Sequence, residues 1–547
     1  MSRAVFCQQL HFTYEASDKP VLNGVDIEIE QAEFAVIAGP SGAGKSTFCR
    51  TLNNIIPLYY GGHLSGHRQI AGEILEKQSI ASLARKVGMV FQDFEQQLFS
   101  TSALLELVFG LENFGVQAPE MRERIEGLMK SFGLQHLARR EPFSLSGGEK
   151  QKLAIASVIA CKPPILVLDE PTTDLDPESK EFVLSFLPEL KEWVETLIVV
   201  DIETEQFQAA DRIYLFNEGH ISAHGKAEEI LTNSELLTAN SLRAPDLVRV
   251  QELLRQKPGL LSVPQLRDSL ASYRLESFPV PARINTPPAI VVENLTYRYG
   301  DQDSDALKNV SLEIREGEFA GIVGRNGSGK STLLRHLNGL QLPQKGSVRV
   351  FDEETAEWDA KKLAREVGLV FQNPDHQIFN ATVRAELEFG PRLFHLPEEQ
   401  VQTNVRKAVE TMDLTSQLER DPFQLSKGER QRVAVASVLS LTPRILILDE
   451  PTTGLDYKQQ KYLMELLRDL NRQGATIVIV THALKLVAEY CDYCVVLSSG
   501  SNIAEGPPRS VFFNGSTMKL PPLLELSAKM NGNALTAEEF VRNLRML

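Results

Sequence analysis

The sequence predicts an α/β fold present twice in tandem, and three observations predict it. Short apolar runs such as ILVLDE at 165–170 and LIVVD at 197–201 alternate with amphipathic helical patterns, as buried parallel strands and their covering helices do in a doubly wound sheet. The pattern G-x-x-x-x-G-K-[ST] occurs as GPSGAGKST at 39–47 and again as GRNGSGKST at 324–332. The landmarks then recur at a nearly fixed offset: Lys45 and Lys330 lie 285 residues apart, and Gln92/Gln372, Ser146/Ser426 and Glu170/Glu450 each lie 280 apart. Such a period identifies a duplicated unit, which overrides a domain count taken from length alone.

In chain order each half opens with strands, reaches the glycine-rich loop and its helix, passes through an inserted helical middle, and returns to apolar strands. The halves are read as 1–225 and 289–510, each followed by a small helical tail, 226–276 and 511–547. The tails share a pattern: RAPDLVRVQELL then SVPQLRDSL in the first, KLPPLLELSAKM then TAEEFVRNL in the second. Between the halves, SFPVPARINTPPA has four prolines and no periodicity, so 277–288 is read as the linker. The offset drops from 285 to 280 around PLYYGGHLSG, so the first half carries about five extra residues near Tyr59–Gly62, read as a surface-loop elongation.

A net charge of −15 argues against a sequence-independent grip on nucleic-acid phosphates. No run approaches the 18 or so apolar residues that span a bilayer, and MSRAVFCQQLHFTYE lacks a signal-like apolar core, so a cytoplasmic chain is expected. Five cysteines make no disulfide framework. Cys491 and Cys494 form a C-x-x-C, but Ala and Ile fill the matching positions of ADRIYLF at 210–216, so they are read as small core residues.

The loop glycines let backbone N–H groups close around phosphates, and the lysine reaches the β and γ oxygens. The phosphate-binding candidates are Gly39, Ser41, Gly42, Gly44, Lys45, Ser46 and Thr47, then Gly324, Asn326, Gly327, Gly329, Lys330, Ser331 and Thr332. ATP with Mg2+ is the expected ligand. Ser46 and Asp169, and Ser331 and Asp449, are the candidate metal ligands, joined by Gln92 and Gln372 on their loops. Glu170 and Glu450 follow the aspartates as candidate general bases. Tyr14 and Tyr299 each lie 31 residues before a loop lysine, suited to stacking on adenine. Ser146 and Glu149, and Ser426 and Glu429, have capping-box spacing, which would aim a helix N-terminus at an anion.

LSGGEKQ at 145–151 and LSKGERQ at 425–431 resemble the signature motif of the ATP-binding cassette (ABC) superfamily, and with the other motifs the resemblance covers nearly the whole chain. It implies two P-loop NTPase domains packed head to tail over two ATP molecules. Ser146, Gly147 and Gly148, or Ser426 and Gly428, would then meet the γ-phosphate held by the other half. His482 matches the switch histidine of that family, whereas Ile202 stands at the corresponding place in the first half, and Lys427 replaces the glycine seen at Gly147. The resemblance puts Ile202 and Lys427 in one composite site and His482 with Gly147 in the other. The site of Lys45, Asp169 and Glu170 is therefore expected to bind ATP and turn it over slowly, and that of Lys330, Asp449, Glu450 and His482 to do most of the hydrolysis. Compensation by Asp201 or Glu203, with both sites firing, is the alternative.

VGMVFQDFEQQLF at 87–99 and VGLVFQNPDHQIF at 367–379 look like the ATPase subunits of energy-coupling factor (ECF) transporters. That resemblance implies a motor on the cytoplasmic face of the membrane, docked on a transmembrane coupling protein and serving a membrane substrate-capture subunit, with no nucleic-acid partner. Asp93, Glu95 and Asp375, just after the glutamines, are candidates for pairing with coupling helices or for solvated loop charges. A fused sugar-importer ATPase and a ribosome-bound twin-cassette factor are the alternatives. No residue reads the transported substrate.

Overall fold

The computed structural model describes residues 3–547 apart from 16, 174, 176, 301–303 and 515–517. It divides into two compact units, Met1–Val248 and Arg249–Leu547.

In the first unit a six-stranded sheet runs in the order His220–Lys226, Arg212–Asn217, Phe34–Ala38, Thr196–Val200, Ile165–Asp169, Val87–Val90. All neighbours are parallel except the edge strand His220–Lys226. Every residue of Phe34–Ala38, Ile165–Asp169 and Thr196–Val200 is buried, as a sheet covered on both faces requires. Each fully buried Val, Leu or Ile there contributes about 1.5–3 kcal/mol. A separate antiparallel sheet, Leu22–Glu30, Arg3–Tyr14, Gly62–Ile70, Glu73–Ile74, carries Tyr14 at the end of its second strand. Helices Ala103–Asn113, Ala118–Ser131 and Gly147–Ala160 form the inserted helical part.

The second unit repeats this plan. Its main sheet runs Val367–Val370, Ile445–Asp449, Thr476–Thr481, Phe319–Gly324, Tyr493–Ser498, Ser501–Gly506, beside an antiparallel sheet of Leu307–Arg315, Pro288–Tyr297, Lys345–Val350 and Glu353–Glu354. Helices Val383–Leu393, Glu398–Thr411 and Lys427–Leu439 supply its helical part. Cys494 lies on the buried strand Tyr493–Ser498 in register with Gly321, and burial pushes its thiol up to about 12. Cys491, just before that strand, is also raised by burial.

The extra residues of the first half have a structural consequence. They bring the strand Gly62–Ile70 far enough to pair Gly62 with Tyr14, whereas the matching pairing in the second unit ends at Thr296 and Lys345.

The unit boundary falls inside the segment read as the first tail. Helix Val263–Ser269 packs on Pro522–Lys529, and strand Tyr273–Leu275 pairs antiparallel with Leu544–Met546. The proline-bearing linker is pinned to the same unit. Asn533 bonds both backbone groups of Phe278 at 2.7 and 2.9 Å, and the Arg283 guanidinium forks onto buried Glu318 at 2.7 and 2.8 Å. A bidentate pair of this kind fixes a chain that composition alone would leave a tether.

Candidate active site

Each glycine-rich loop ends on a helix that begins at its lysine, Lys45–Thr51 and Lys330–Leu337. The residue before each lysine needs glycine: Gly44 and Gly329 have φ of 98° and 100°, and a Cβ on either would fall 2.7 Å from a backbone oxygen, of Val21 or Ala306. The lysines are nearly buried. Lys45 Nζ donates to the carbonyls of Gly39 and Pro40 at 2.9 and 2.8 Å, and Lys330 Nζ to those of Gly324 and Arg325 at 2.8 and 2.9 Å. The ammonium is thus held across its own loop, where a phosphate would sit.

Near each loop the acidic pair is delivered by the strand one place removed in the sheet, Ile165–Asp169 beyond Thr196–Val200 and Ile445–Asp449 beyond Thr476–Thr481. Ser46 Oγ donates to Asp169 Oδ1 at 2.9 Å, while Asp169 Oδ2 is buried with no hydrogen-bond partner. Burial is the largest influence on Asp169 and raises it above the ordinary carboxylate range. Asp449 is pushed up to about 6, by burial first and then by neighbouring Glu450, with the Ser331 hydroxyl bonded to it. A buried, under-satisfied carboxylate oxygen next to a serine hydroxyl is the hard-oxygen donor set that suits Mg2+.

Glu170 and Glu450 sit one residue past their strands at φ of 50° and 44°, a left-handed conformation uncommon for glutamate. Each is anchored by its backbone N–H on the next strand, to Val200 O and Val480 O at 2.8 Å. Backbone strain in duplicate at this place fits a functional constraint.

Around these two glutamates the halves part company. In the second unit Glu450 Oε1 faces His482 Nδ1 at 2.9 Å and Oε2 accepts from Thr481 Oγ1 at 3.0 Å. With Glu450 ionised, Nδ1 carries the proton and donates. In the first unit Ile202 offers no such donor. Glu170 Oε2 accepts instead from Gln92 Nε2 at 2.8 Å and Thr173 Oγ1 at 3.2 Å. Gln372, the counterpart of Gln92, is exposed and makes no hydrogen bond with the described residues. Asp201 and Glu203 are committed elsewhere: Asp201 binds Thr172 and the turn that follows it, and Glu203 pairs with Lys180.

The tyrosines lie against the loop helices. Tyr14 and Thr47 share a hydroxyl hydrogen bond of 3.0 Å, and Tyr299 and Thr332 one of 3.2 Å, with Arg335 donating to the Tyr299 oxygen at 3.3 Å.

Both signature segments begin a helix with a complete capping box, Ser146 with Glu149 and Ser426 with Glu429. Burial alone would raise Glu149, but hydrogen bonds from the Ser146 N–H and hydroxyl outweigh it and hold the carboxyl below its ordinary value. Gly148 and Gly428 are tight spots, since a Cβ would come within 2.4 Å of Ser179 Oγ or 2.6 Å of Gln459 Oε1. Gly147 has open space around it, and at the matching position the Lys427 ammonium folds back over Gly454, within 2.2 Å of where a Cβ would stand. Position 174, which matches Gly454, is Asp in the first half and lies outside the described residues.

The acidic residues after the glutamines are paired within their own units: Glu95 with Lys150 at 2.9 Å and Asp375 with Arg430 at 2.7 Å. Each pair ties a glutamine loop to the second turn of a signature helix. Sequence reasoning did not find Thr481, Thr173 or these ties. The fixed 280-residue offset carried a signal for them, because it aligns Thr481 with Asp201 and Lys150 with Arg430.

The sequence pattern of the family described as ABC transporter matches residues 22–173 and 307–453. The chain is 41% identical, over 98% of itself and 98% of the relative, to a protein of Caldanaerobacter subterraneus subsp. tengcongensis described as an ABC transporter ATP-binding protein. It is 38% identical to one of the same description from Methanosarcina acetivorans, covering 95% of this chain and 89% of that one. Among solved structures, that of CbiO1 from Clostridium perfringens, part of the ABC transporter complex CbiONQ, is 37% identical. It covers 41% of this chain and 90% of its own, with a TM-score of 0.40.

Proposed function

The chain belongs to the ABC transporter family as an ATP-binding, ATP-hydrolysing protein with two cassettes, and from that premise we propose that it is the motor of a membrane import system of the energy-coupling factor type. In this reading its two cassettes close on two ATP molecules, one in a degenerate site and one in a working site. The single observation that carries the division is the 2.9 Å contact of His482 with Glu450 set against Ile202 in the other half. Glu450 takes the proton of the attacking water, and His482 holds that carboxylate in place and stands beside the γ-phosphate. Ser331, Asp449 and Gln372, and Ser46, Asp169 and Gln92, are the residues that would hold Mg2+. When bound, the ion neutralises charge on the β and γ oxygens.

Partner docking is supported by exposed aromatic pairs beside both glutamine loops. Phe379 and Phe389 meet edge to face at 4.8 Å, and Phe99 and Phe109 at 4.6 Å, with all four rings largely exposed. Next to the Phe379–Phe389 pair, Asn380, Glu388, Phe389 and Arg392 line an open groove of about 350 Å³. Exposed apolar pairs at a polar rim suit a protein partner. No helix among the described residues is long and apolar enough to cross a membrane, so the membrane-embedded part would come from other subunits.

Co-purification from detergent-solubilised membranes tests the reading. Wild type should bring down a transmembrane protein, and Phe379→Ser with Phe389→Ser should lose it. Sedimentation with ribosomes and no membrane partner would reject it.

A further inference from the structure

The end of the strand that carries the switch position holds a second difference between the cassettes. Thr481 is buried, with 1% exposure, and its hydroxyl has two assigned partners. It accepts from Ala483 N–H at 3.0 Å, which leaves its single proton for Glu450 Oε2 at 3.0 Å. Glu450 is therefore gripped on both oxygens, by Thr481 on one and His482 on the other. Two donors from one rigid strand end fix the plane of the carboxylate as well as its position.

Asp201 stands at the same place in the first cassette and has the opposite polarity. Its Oδ1 accepts from Ile202 N–H at 2.6 Å and Glu203 N–H at 3.1 Å, and its Oδ2 from Thr172 Oγ1 at 2.5 Å. An ionised carboxylate is an acceptor only, so it has no proton to offer Glu170. Glu170 Oε2 takes hydrogen bonds from Gln92 on its loop and from Thr173 on its own turn, neither of them on the neighbouring strand.

We propose that Thr481 is a positioning residue for the base Glu450, and that Asp201 in its place, together with Ile202, is what disarms Glu170. This deepens the division of labour proposed above and rests on it. The predicted consequence is that restoring a histidine alone leaves the first site poorly aligned, because the base would still lack its strand-borne donor.

The test uses the purified full chain and steady-state ATP hydrolysis. Thr481→Val keeps the shape and removes the hydroxyl; it should lower kcat on the order of ten- to hundred-fold with KM changed less than about twofold, the size expected for a misplaced catalytic group. Thr481→Ser retains the donor and should stay within about threefold of wild type. A role in packing alone predicts the reverse, since serine loses the methyl that valine keeps. In a Glu450→Gln background, Asp201→Thr with Ile202→His should raise turnover about tenfold above Ile202→His alone. Wild-type kcat in Thr481→Val, or no gain of the pair over Ile202→His alone, overturns the proposal. Failure of the underlying reading looks different: Glu450→Gln itself would then leave most turnover in place.

Discussion

The two glutamate corners differ in where the carboxylate's partners come from. Glu450 is held by the end of its neighbouring strand, a buried element fixed by the sheet, whereas Glu170 is held by Gln92, an exposed residue on a loop, and by Thr173, three residues further along the same turn. The backbone is the same in both, down to the left-handed φ of the glutamate and its N–H bond to the next strand. Two consecutive side chains, Thr481-His482 against Asp201-Ile202, therefore change the glutamate's hydrogen bonds without changing the fold. On the proposed reading, those two positions are where a duplicated protein separates a site that holds nucleotide from one that hydrolyses it.

The largest effect that could break this comparison is on turnover. His482→Ala should reduce ATP hydrolysis on the order of 10²–10⁴-fold, while Glu170→Gln reduces it less than about twofold; equal losses in a phosphate-release assay would show two working sites. A smaller effect sharpens the contrast at the signature helices. Gly454→Ala should cost about 1–3 kcal/mol in chemical denaturation, because the residue has φ of 70° and its new methyl would meet Lys427 Nζ. Lys427→Ala should recover part of that loss; a fully additive double mutant would mean the two residues are not coupled.

Asp201 gives a pH test. Burial, then the nearby Glu203, raises it from 3.8 to about 6, with Lys180 and Glu170 also facing it. A carboxyl raised in the folded state contributes its stability in full below pH 3.8 and loses it as pH rises through about 6. Asp201→Asn removes that dependence, so its stability advantage over wild type should grow by about 1–2 kcal/mol between pH 5 and 7.5. A pH-independent gap in thermal unfolding would mean Asp201 is not charged in a buried place. The smallest effect concerns the thiols. Cys7 and Cys494, both pushed up to about 12 by burial, should resist alkylation at pH 8 in either half until the chain unfolds. Rapid labelling of native protein, read by mass spectrometry, would contradict that.

Much of this molecule is written locally, and the local parts were legible. Apolar runs of strand length, glycines before Lys45 and Lys330, and serine-to-glutamate capping spacing at 146–149 and 426–429 each follow from short-range sterics and hydrogen bonding, so strand, loop and helix start could be read without knowing what surrounds them. The repeat offset aligned His482 with Ile202 for the same reason. What a side chain does with its polar atoms depends on neighbours far along the chain, and only the tertiary structure decided it. The carboxylates of Glu95 and Asp375, though still partly in solvent, pair with Lys150 and Arg430, 55 residues further on. Linker residue Arg283 finds Glu318, and the strand near 273 finds its partner near 545. Thr481 becomes a donor to Glu450 because the sheet puts the ends of two strands side by side, which no spacing along the chain records.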